Sequence, residues 1–146
     1  MKQQTLQMEA RLENLPAILG FAGECAARAG FSAKRLAEVE LVIEEAVVNI
    51  CKYAYPAETG LIEITCRGDR TSLCVRITDT GVPFDLLAVA EPDLYADISD
   101  RRIGGLGCYL IKTLADEVTS RRDGDRNVLE LSFLAERTVG KETGDD

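Results

Sequence analysis

A long amphipathic helix pattern between Ser32 and Tyr55 constrains the fold of this chain more than any other feature. Apolar residues recur there at every third or fourth position, which is the spacing of one helix face. This apolar stripe consists of Leu36, Val39, Ile43, Ala46, Val47, Ile50 and Ala54. Ser32 is a preferred N-cap residue type, and Pro56 disfavours helix at the residue before it. We therefore predict a helix from Ser32 to about Tyr55 that packs one side against a core.

Seven further stretches show the period of a strand or a helix. The strand patterns are residues 6–12, Leu61–Arg67, Leu73–Thr78, Glu117–Arg122 and Asn127–Phe133, and the helix patterns are residues 15–29 and 104–114. No repeat or linker divides them. We expect residues 1–135 to form one domain of helices and strands, and residues 136–146 to form a flexible polar tail.

Composition excludes several classes of function. The net charge of −8 argues against nucleic acid as the main partner, because binding to phosphate backbones needs a basic surface. The absence of histidine excludes Ser-His-Asp catalysis, histidine-ligated metals and autophosphorylation on histidine. No apolar run is long enough to span a bilayer, and we expect a cytoplasmic protein whose five cysteines are small buried hydrophobes.

The long helix carries two polar side chains away from its apolar stripe. Glu45 and Asn49 stand four residues apart, so their side chains share one face of the helix. Lys52 and Tyr53 follow about one turn later and extend the same polar patch. Such a patch alone is compatible with ordinary helix surface, so its meaning depends on the motifs that follow.

Asp79 comes directly after a predicted strand and begins an Asp-Thr-Gly-Val-Pro-Phe-Asp stretch. A carboxylate at a strand end can accept a hydrogen bond from an exocyclic amine, and buried pairing of this kind discriminates strongly between ligands. Gly81 would let the backbone approach a flat ring closely. A simple Asp-x-Gly turn is the alternative interpretation.

The glycine-rich segment Gly104-Gly105-Leu106-Gly107 opens the predicted helix that ends at Leu114. Glycines at a helix N-terminus leave backbone N–H groups free to face an anion, and the helix dipole favours negative charge there. The spacing fits neither a Walker loop nor a Rossmann fingerprint, and a flexible hinge is the alternative. The long irregular segment before it, Gly81–Ile103, has the length of a lid.

The order of these three motifs resembles the ATP-binding superfamily of gyrase, heat-shock chaperone, mismatch-repair and histidine-kinase ATPases. Segments 45–49, 79–85, 104–111 and 121–129 are specifically similar to the anti-sigma-factor serine kinase branch of that superfamily. The resemblance extends from Leu6 to about Leu134. It implies an α+β fold, a two-layer α/β sandwich in which a mixed, mostly antiparallel sheet carries the helices on one face.

The resemblance also implies a site for Mg·ATP. Asn49 would ligate the Mg²⁺ that bridges the phosphates, and Asp79 would accept from the adenine amino group with Gly81 beneath the ring. The Gly104–Gly107 segment, Leu106 included, would bind the nucleotide, with backbone amides of Gly105 and Gly107 on the phosphates. The segment Gly81–Ile103 would be the lid.

Catalysis and partners follow from the same resemblance. Glu45 would be the general base that orients a partner's serine hydroxyl for attack on the γ-phosphate. Lys52 and Tyr53 look instead like the corresponding segment of histidine kinases, where the lysine lies near the phosphates and both residues would contact the nucleotide. The implied partners are an anti-anti-sigma protein of the STAS type and a sigma factor, and homodimers are common in the family. No direct contact with nucleic acid or membrane is expected.

Three activities remain open at this point. The first is a serine kinase that phosphorylates an anti-anti-sigma antagonist and thereby regulates a sigma factor. The second is a nucleotide-gated binding module without phosphotransfer, whose lid orders on ATP. The third is a detached histidine-kinase catalytic domain with its histidine on another chain. Glu45 favours the first, because histidine kinases usually carry Asn at this position.

Overall fold

The computed structural model describes residues 3–88 and 105–136 of the chain. Its elements in chain order are β1 (Gln3–Glu9), α1 (Leu15–Arg28), α2 (Ala33–Tyr53), β2 (Leu61–Gly68), β3 (Ser72–Asp79), α3 (Gly105–Leu114), β4 (Glu117–Asp123) and β5 (Arg126–Leu134). Short 3-10 turns occupy Leu12–Asn14 and Leu86–Ala88. Within the described ranges, no helix has the length and hydropathy needed to cross a membrane.

The five described strands form one sheet in the order β1-β2-β3-β5-β4. Every neighbouring pair is antiparallel, so the parallel pairing that a mixed sheet would contain is not found among the described strands. Strand β5 lies between β3 and β4, because the last hairpin folds back onto β3 after the excursion through α3. This topology places the ends of β3 and α2 beside the start of β5.

The helices cover one face of the sheet, which confirms the two-layer α+β architecture. Helices α1 and α2 pack together, α1 lies over β2 and β3, and α2 also packs against α3. The largest side chains buried between the two layers are Phe133, Ile18, Ile43, Ile62, Ile64, Leu73, Ile77, Ile111 and Leu131. The opposite face of the sheet is polar and carries exposed residues such as Cys74 and Arg76, so the expectation of buried cysteines is wrong for Cys74.

The limits of α2 follow the local chemistry of its ends. Ser32 caps the helix, because its hydroxyl accepts a hydrogen bond from the Arg35 N–H at 3.1 Å. The helix ends at Tyr53, two residues before the predicted end. Tyr55 then leaves the helix, and its hydroxyl donates to the Leu61 carbonyl at 2.6 Å and accepts from the Thr80 N–H at 2.9 Å.

Arg35, only 4% exposed, ties three elements together at the start of α2. Its guanidinium donates to the carbonyl oxygens of Leu114 and Leu134, each at 2.9 Å. It also forms a buried ion pair with Asp116, whose carboxylate accepts from the Leu134 N–H as well. The end of α3 and the end of β5 are therefore fastened to α2 through one side chain.

Candidate functional site

A cleft of about 610 Å³, including the solvent-filled space at its opening, lies between α2 and the end of β3. Its walls are largely apolar and come from Ala46, Ile50, Ile77, Val82, Phe84 and Leu86. Its polar members include Asn49, Tyr53, Asp79 and Asn127. An apolar cleft with a few converging polar groups is typical of a small-molecule site. Three of the residues predicted from the sequence, Asn49, Tyr53 and Asp79, thus line one cleft.

Asp79 ends β3 and is only 5% exposed. One carboxylate oxygen, Oδ1, accepts from the Gly81 N–H and from the Asn127 amide, both at 2.9 Å. The described residues provide no hydrogen-bond partner for the other oxygen, Oδ2. A buried carboxylate oxygen without a partner is costly in a closed protein, so this atom suits a ligand that donates a hydrogen bond.

Gly81 lies against the end of α2. A Cβ atom added there would stand 2.3 Å from the Ala54 carbonyl oxygen, so the glycine is required by the end of α2. The neighbouring Val82 N–H donates to that same carbonyl at 2.9 Å. Gly81 is not among the residues that line the cleft, and its contact with a ring remains a prediction.

Asn49 lies on α2 at the side of the cleft that faces α3. Its Nδ2 atom lies 3.9 Å from the Cys108 sulfur, which accepts a weak hydrogen bond. This contact turns the amide nitrogen toward α3 and leaves Oδ1 without a partner among the described residues. A free amide oxygen suits Mg²⁺, which takes oxygen ligands and is bound by few protein groups together with phosphates. The described residues contain no cluster of three or more acidic, cysteine or histidine side chains that could hold a metal by itself.

Glu45 lies one turn before Asn49 and contacts the start of α3. A Cβ atom added to Gly107 would be 2.6 Å from Glu45 Oε1, so the carboxylate occupies the space that the missing side chain leaves. Burial raises the pKa of Glu45 above its ordinary value, and the negative charge of Glu44 raises it further, while Lys52 lowers it. The result is a carboxylate that is more basic than one in water.

The remaining predicted residues lie around this arrangement. Lys52 is exposed and does not line the cleft, although its charge acts on Glu45. Leu106 is exposed in the first turn of α3, whose described part begins at Gly105. Gly104 and residues 89–103 of the proposed lid lie outside the described residues, as do residues 137–146 of the expected tail.

Two residues of the site were not predicted as functional. Asn127 is opposite Asp79 in the β3–β5 ladder, and Arg122 reaches over from β4 to the loop after Asp79. Both occur in the segment that resembles the serine kinase branch, but no role followed from it. The available signal was a polar residue at an inward position of a strand, since Asn127 continues the alternation of Leu129, Leu131 and Phe133.

Comparison with known proteins shows which family this chain is similar to. A model of the histidine kinase-like ATPase domain matches residues 8–133. The serine-protein kinase RsbW of Listeria monocytogenes is 33% identical over 141 residues, which cover 92% of this chain and 89% of that one. The protein of the same name in Bacillus thuringiensis is 29% identical over 116 residues, or 77% of this chain and 72% of that one.

A solved structure has a similar fold. It contains the RsbU and RsbW domains of a Mycobacterium tuberculosis protein and superposes with a TM-score of 0.63 at 14% identity. The match covers 92% of this chain and 32% of that one, so this chain spans about a third of the two-domain protein. At this identity the likeness concerns the fold alone.

Proposed function

This chain belongs to the histidine kinase-like ATPase domain family, and from that premise we propose that it is an ATP-dependent protein serine kinase. Its substrate in this proposal is an anti-anti-sigma protein of the STAS type, and the kinase regulates a sigma factor by exchanging partners. The observation that carries the proposal is the position of Glu45. Its carboxylate contacts the glycine-rich start of α3 while Asn49, on the same helix face, borders the cleft.

The cleft accommodates the adenine base of ATP, and its open side accommodates the phosphates. The free Oδ2 atom of Asp79 accepts a hydrogen bond from the adenine amino group, and apolar residues such as Ile77 and Val82 contact the ring. The backbone N–H groups in the first turn of a helix have no acceptor within the helix, and those of Gly105 and Gly107 would face the phosphates. Asn49 Oδ1 would ligate the Mg²⁺ that accompanies ATP.

Phosphotransfer needs a group that removes a proton from the attacking serine. The serine oxygen forms a bond to the γ-phosphorus, the bond from that phosphorus to the ADP oxygen breaks, and the hydroxyl proton goes to the Glu45 carboxylate. Because burial raises the pKa of Glu45, this carboxylate is a stronger base than an exposed one. Contact with Gly107 keeps it next to the proposed phosphate-binding turn.

Release of the modified partner follows from charge. Phosphorylation adds about −1.5 to −2 charges to the serine at neutral pH. The kinase carries a net charge of −8, so its surface disfavours the phosphorylated partner more than the unmodified one. Loss of this partner frees the kinase for the sigma factor, which is the exchange that the proposal requires.

The test compares phosphate transfer and nucleotide binding in Glu45→Gln. The variant keeps the shape of the side chain but cannot take a proton, so it should bind Mg·ATP normally and transfer phosphate roughly 10²–10⁴-fold more slowly. Transfer is measured with labelled ATP and candidate STAS-type proteins from the same genome. Glu44→Gln is the matched control, because it removes a neighbouring carboxylate and leaves the base in place.

Two outcomes would contradict the proposal in different ways. Transfer by Glu45→Gln at the wild-type rate would mean that Glu45 is not the base. If the wild-type protein binds Mg·ATP and a STAS-type partner but transfers no phosphate to it, the nucleotide-gated binding module becomes the better interpretation.

A further inference from the structure

Asn127 lies opposite Asp79 across the β3–β5 ladder and uses all of its hydrogen-bonding groups. Its amide nitrogen donates to Asp79 Oδ1 at 2.9 Å and to the Val82 carbonyl at 2.8 Å. Its amide oxygen accepts from the Phe84 N–H at 3.1 Å and from Arg122 Nη1 at 3.2 Å. A flipped amide would turn its oxygen toward two acceptors and its nitrogen toward two donors, so only one orientation is stable.

Arg122, on β4, fixes the orientation of the Asn127 amide. Besides Asn127, its Nη1 donates to the Gly81 carbonyl at 2.8 Å, and its Nε donates to the Gly124 carbonyl at 3.1 Å. The guanidinium offers hydrogen-bond donors only. It therefore fastens the loop after β3 to the β4–β5 turn and keeps the oxygen of the Asn127 amide facing it.

These contacts determine what Asp79 presents to the cleft. Asn127 and the Gly81 N–H both donate to Oδ1, so that oxygen must act as an acceptor. The second oxygen, Oδ2, remains for the ligand and is an acceptor too. The cleft thus offers an acceptor where the edge of a base would lie, which suits a 6-amino purine better than a 6-oxo purine.

We propose that Asn127 and Arg122 are positioning residues that make the site selective for a 6-amino purine. Arg122 orients the Asn127 amide, and the amide fixes which oxygen of Asp79 reaches the base. The inference rests on the proposed function, since Asp79 must face the base of the bound nucleotide. It goes further because it assigns base selection to two residues that act through Asp79.

The inference makes a specific statement about Asp79→Asn. The oriented amide of Asn127 and the Gly81 N–H still require an acceptor at Oδ1, so the introduced amide places its oxygen there. Its NH₂ group then faces the cleft and donates. We expect this variant to prefer inosine triphosphate, which carries an oxygen in place of the 6-amino group and a proton on N1.

The experiment measures the affinities of Mg·ATP and Mg·ITP by calorimetry and compares their ratio among variants. Wild type should favour ATP by roughly 10- to 100-fold, the effect of one mispaired buried group, and Asp79→Asn should favour ITP. Arg122→Met should bring the wild-type ratio severalfold closer to one, and Arg122→Met added to Asp79→Asn should abolish the inverted preference. Arg121→Met is the matched control, because the neighbouring Arg121 pairs with Glu130 on the open face of the sheet.

Each result decides a different question. A folded Arg122→Met protein with the wild-type ratio would overturn the inference, because Arg122 would then be merely structural. Should that variant not fold, Asn127→Ser must show the same loss of discrimination, and an unchanged ratio there would overturn it equally. Equal binding of ATP and ITP by wild type would contradict base selection by Asp79 while leaving nucleotide binding intact. Wild type that binds neither nucleotide would contradict the proposed function itself.

Discussion

The carboxylate of Glu45 fills the space beside Gly107, where an added Cβ atom would stand 2.6 Å from Oε1. The proposed base on α2 and the proposed phosphate-binding turn of α3 are therefore in direct contact. No side chain at position 107 can share that space with the present position of the carboxylate. Gly107 thus leaves room for the carboxylate of Glu45, in addition to any role of its backbone N–H toward phosphate.

Gly107→Ala should lower the rate of phosphate transfer while leaving the fold stable. The atom that must move is the end of a flexible side chain, so the cost in stability is small, but a displacement of about 1 Å can cost roughly 100-fold in rate. Transfer rate and thermal unfolding are measured on the same preparation. Gly20→Ala in α1 is the control, since an added Cβ meets nothing within 4 Å there. Equal transfer rates for both variants would show that the position of Glu45 tolerates this change.

The pH dependence of transfer should report on Glu45. The reaction needs its ionised form, so the rate falls as pH decreases through a pKa that burial, and then Glu44, hold above the ordinary glutamate value. Glu44→Gln removes the repelling charge and should move this acidic limb to lower pH. Removal of the Lys52 charge should move the acidic limb to higher pH, because that charge lowers the pKa of Glu45. Profiles of kcat/KM for wild type and Glu44→Gln test this, and coincident profiles would exclude Glu45 as the titrating group.

Asn49→Ala should weaken nucleotide binding by about 1–3 kcal/mol, because it removes the oxygen that we propose as a ligand of Mg²⁺. Much of the Mg²⁺ dependence of binding should disappear with it. Calorimetry with and without Mg²⁺ measures both effects. Cys108→Ala is the matched control, since it removes the acceptor of the Asn49 amide nitrogen but keeps the amide oxygen. A Mg²⁺ dependence unchanged in Asn49→Ala would mean that the metal is bound elsewhere.

Arg35→Met should destabilise the protein strongly, since it removes the buried guanidinium that pairs with the carboxylate of Asp116. Breaking one partner of a buried ion pair typically costs about 3–5 kcal/mol. Arg121→Met breaks a pair whose side chains are 50% and 40% exposed, so it should cost at most about 1 kcal/mol. Denaturant unfolding gives both values. Similar free energies of unfolding for the two variants would contradict the structural weight assigned to Arg35.

The elements with strong local signals could be predicted from the sequence. The stripe of α2, the Ser32 cap and the two hairpins depend on residues close together in the chain, and the structure confirms them. The insertion of β5 between β3 and β4 could not be derived, because strand order depends on packing between distant segments. The resemblance implied the sheet and its layers where periodicity alone did not.

Residues of the candidate site could be predicted only where a local sequence pattern marks the residue without reference to distant contacts. Asp79 stood out because it ends a strand pattern, but its partner Asn127 lies 48 residues later and is matched only by the ladder. The need for glycine at position 81 came from Ala54, a contact that no local pattern indicates. No local pattern indicated that Arg35 is buried, because its burial depends on Asp116, far along the chain.

Arg35 fixes the C-terminal end of α3, so a small tilt of this helix would move mainly its N-terminal end. Arg35 holds the Leu114 carbonyl at the last turn of α3 and pairs with Asp116 just beyond it, while Gly107 in the first turn contacts the flexible end of the Glu45 side chain. The helix is about 15 Å long, so a tilt of a few degrees about the anchored end moves the other end by about 1 Å. We therefore expect a change at Asp116 to alter the distance between Gly107 and Glu45, and with it the rate of transfer, without any contact with nucleotide.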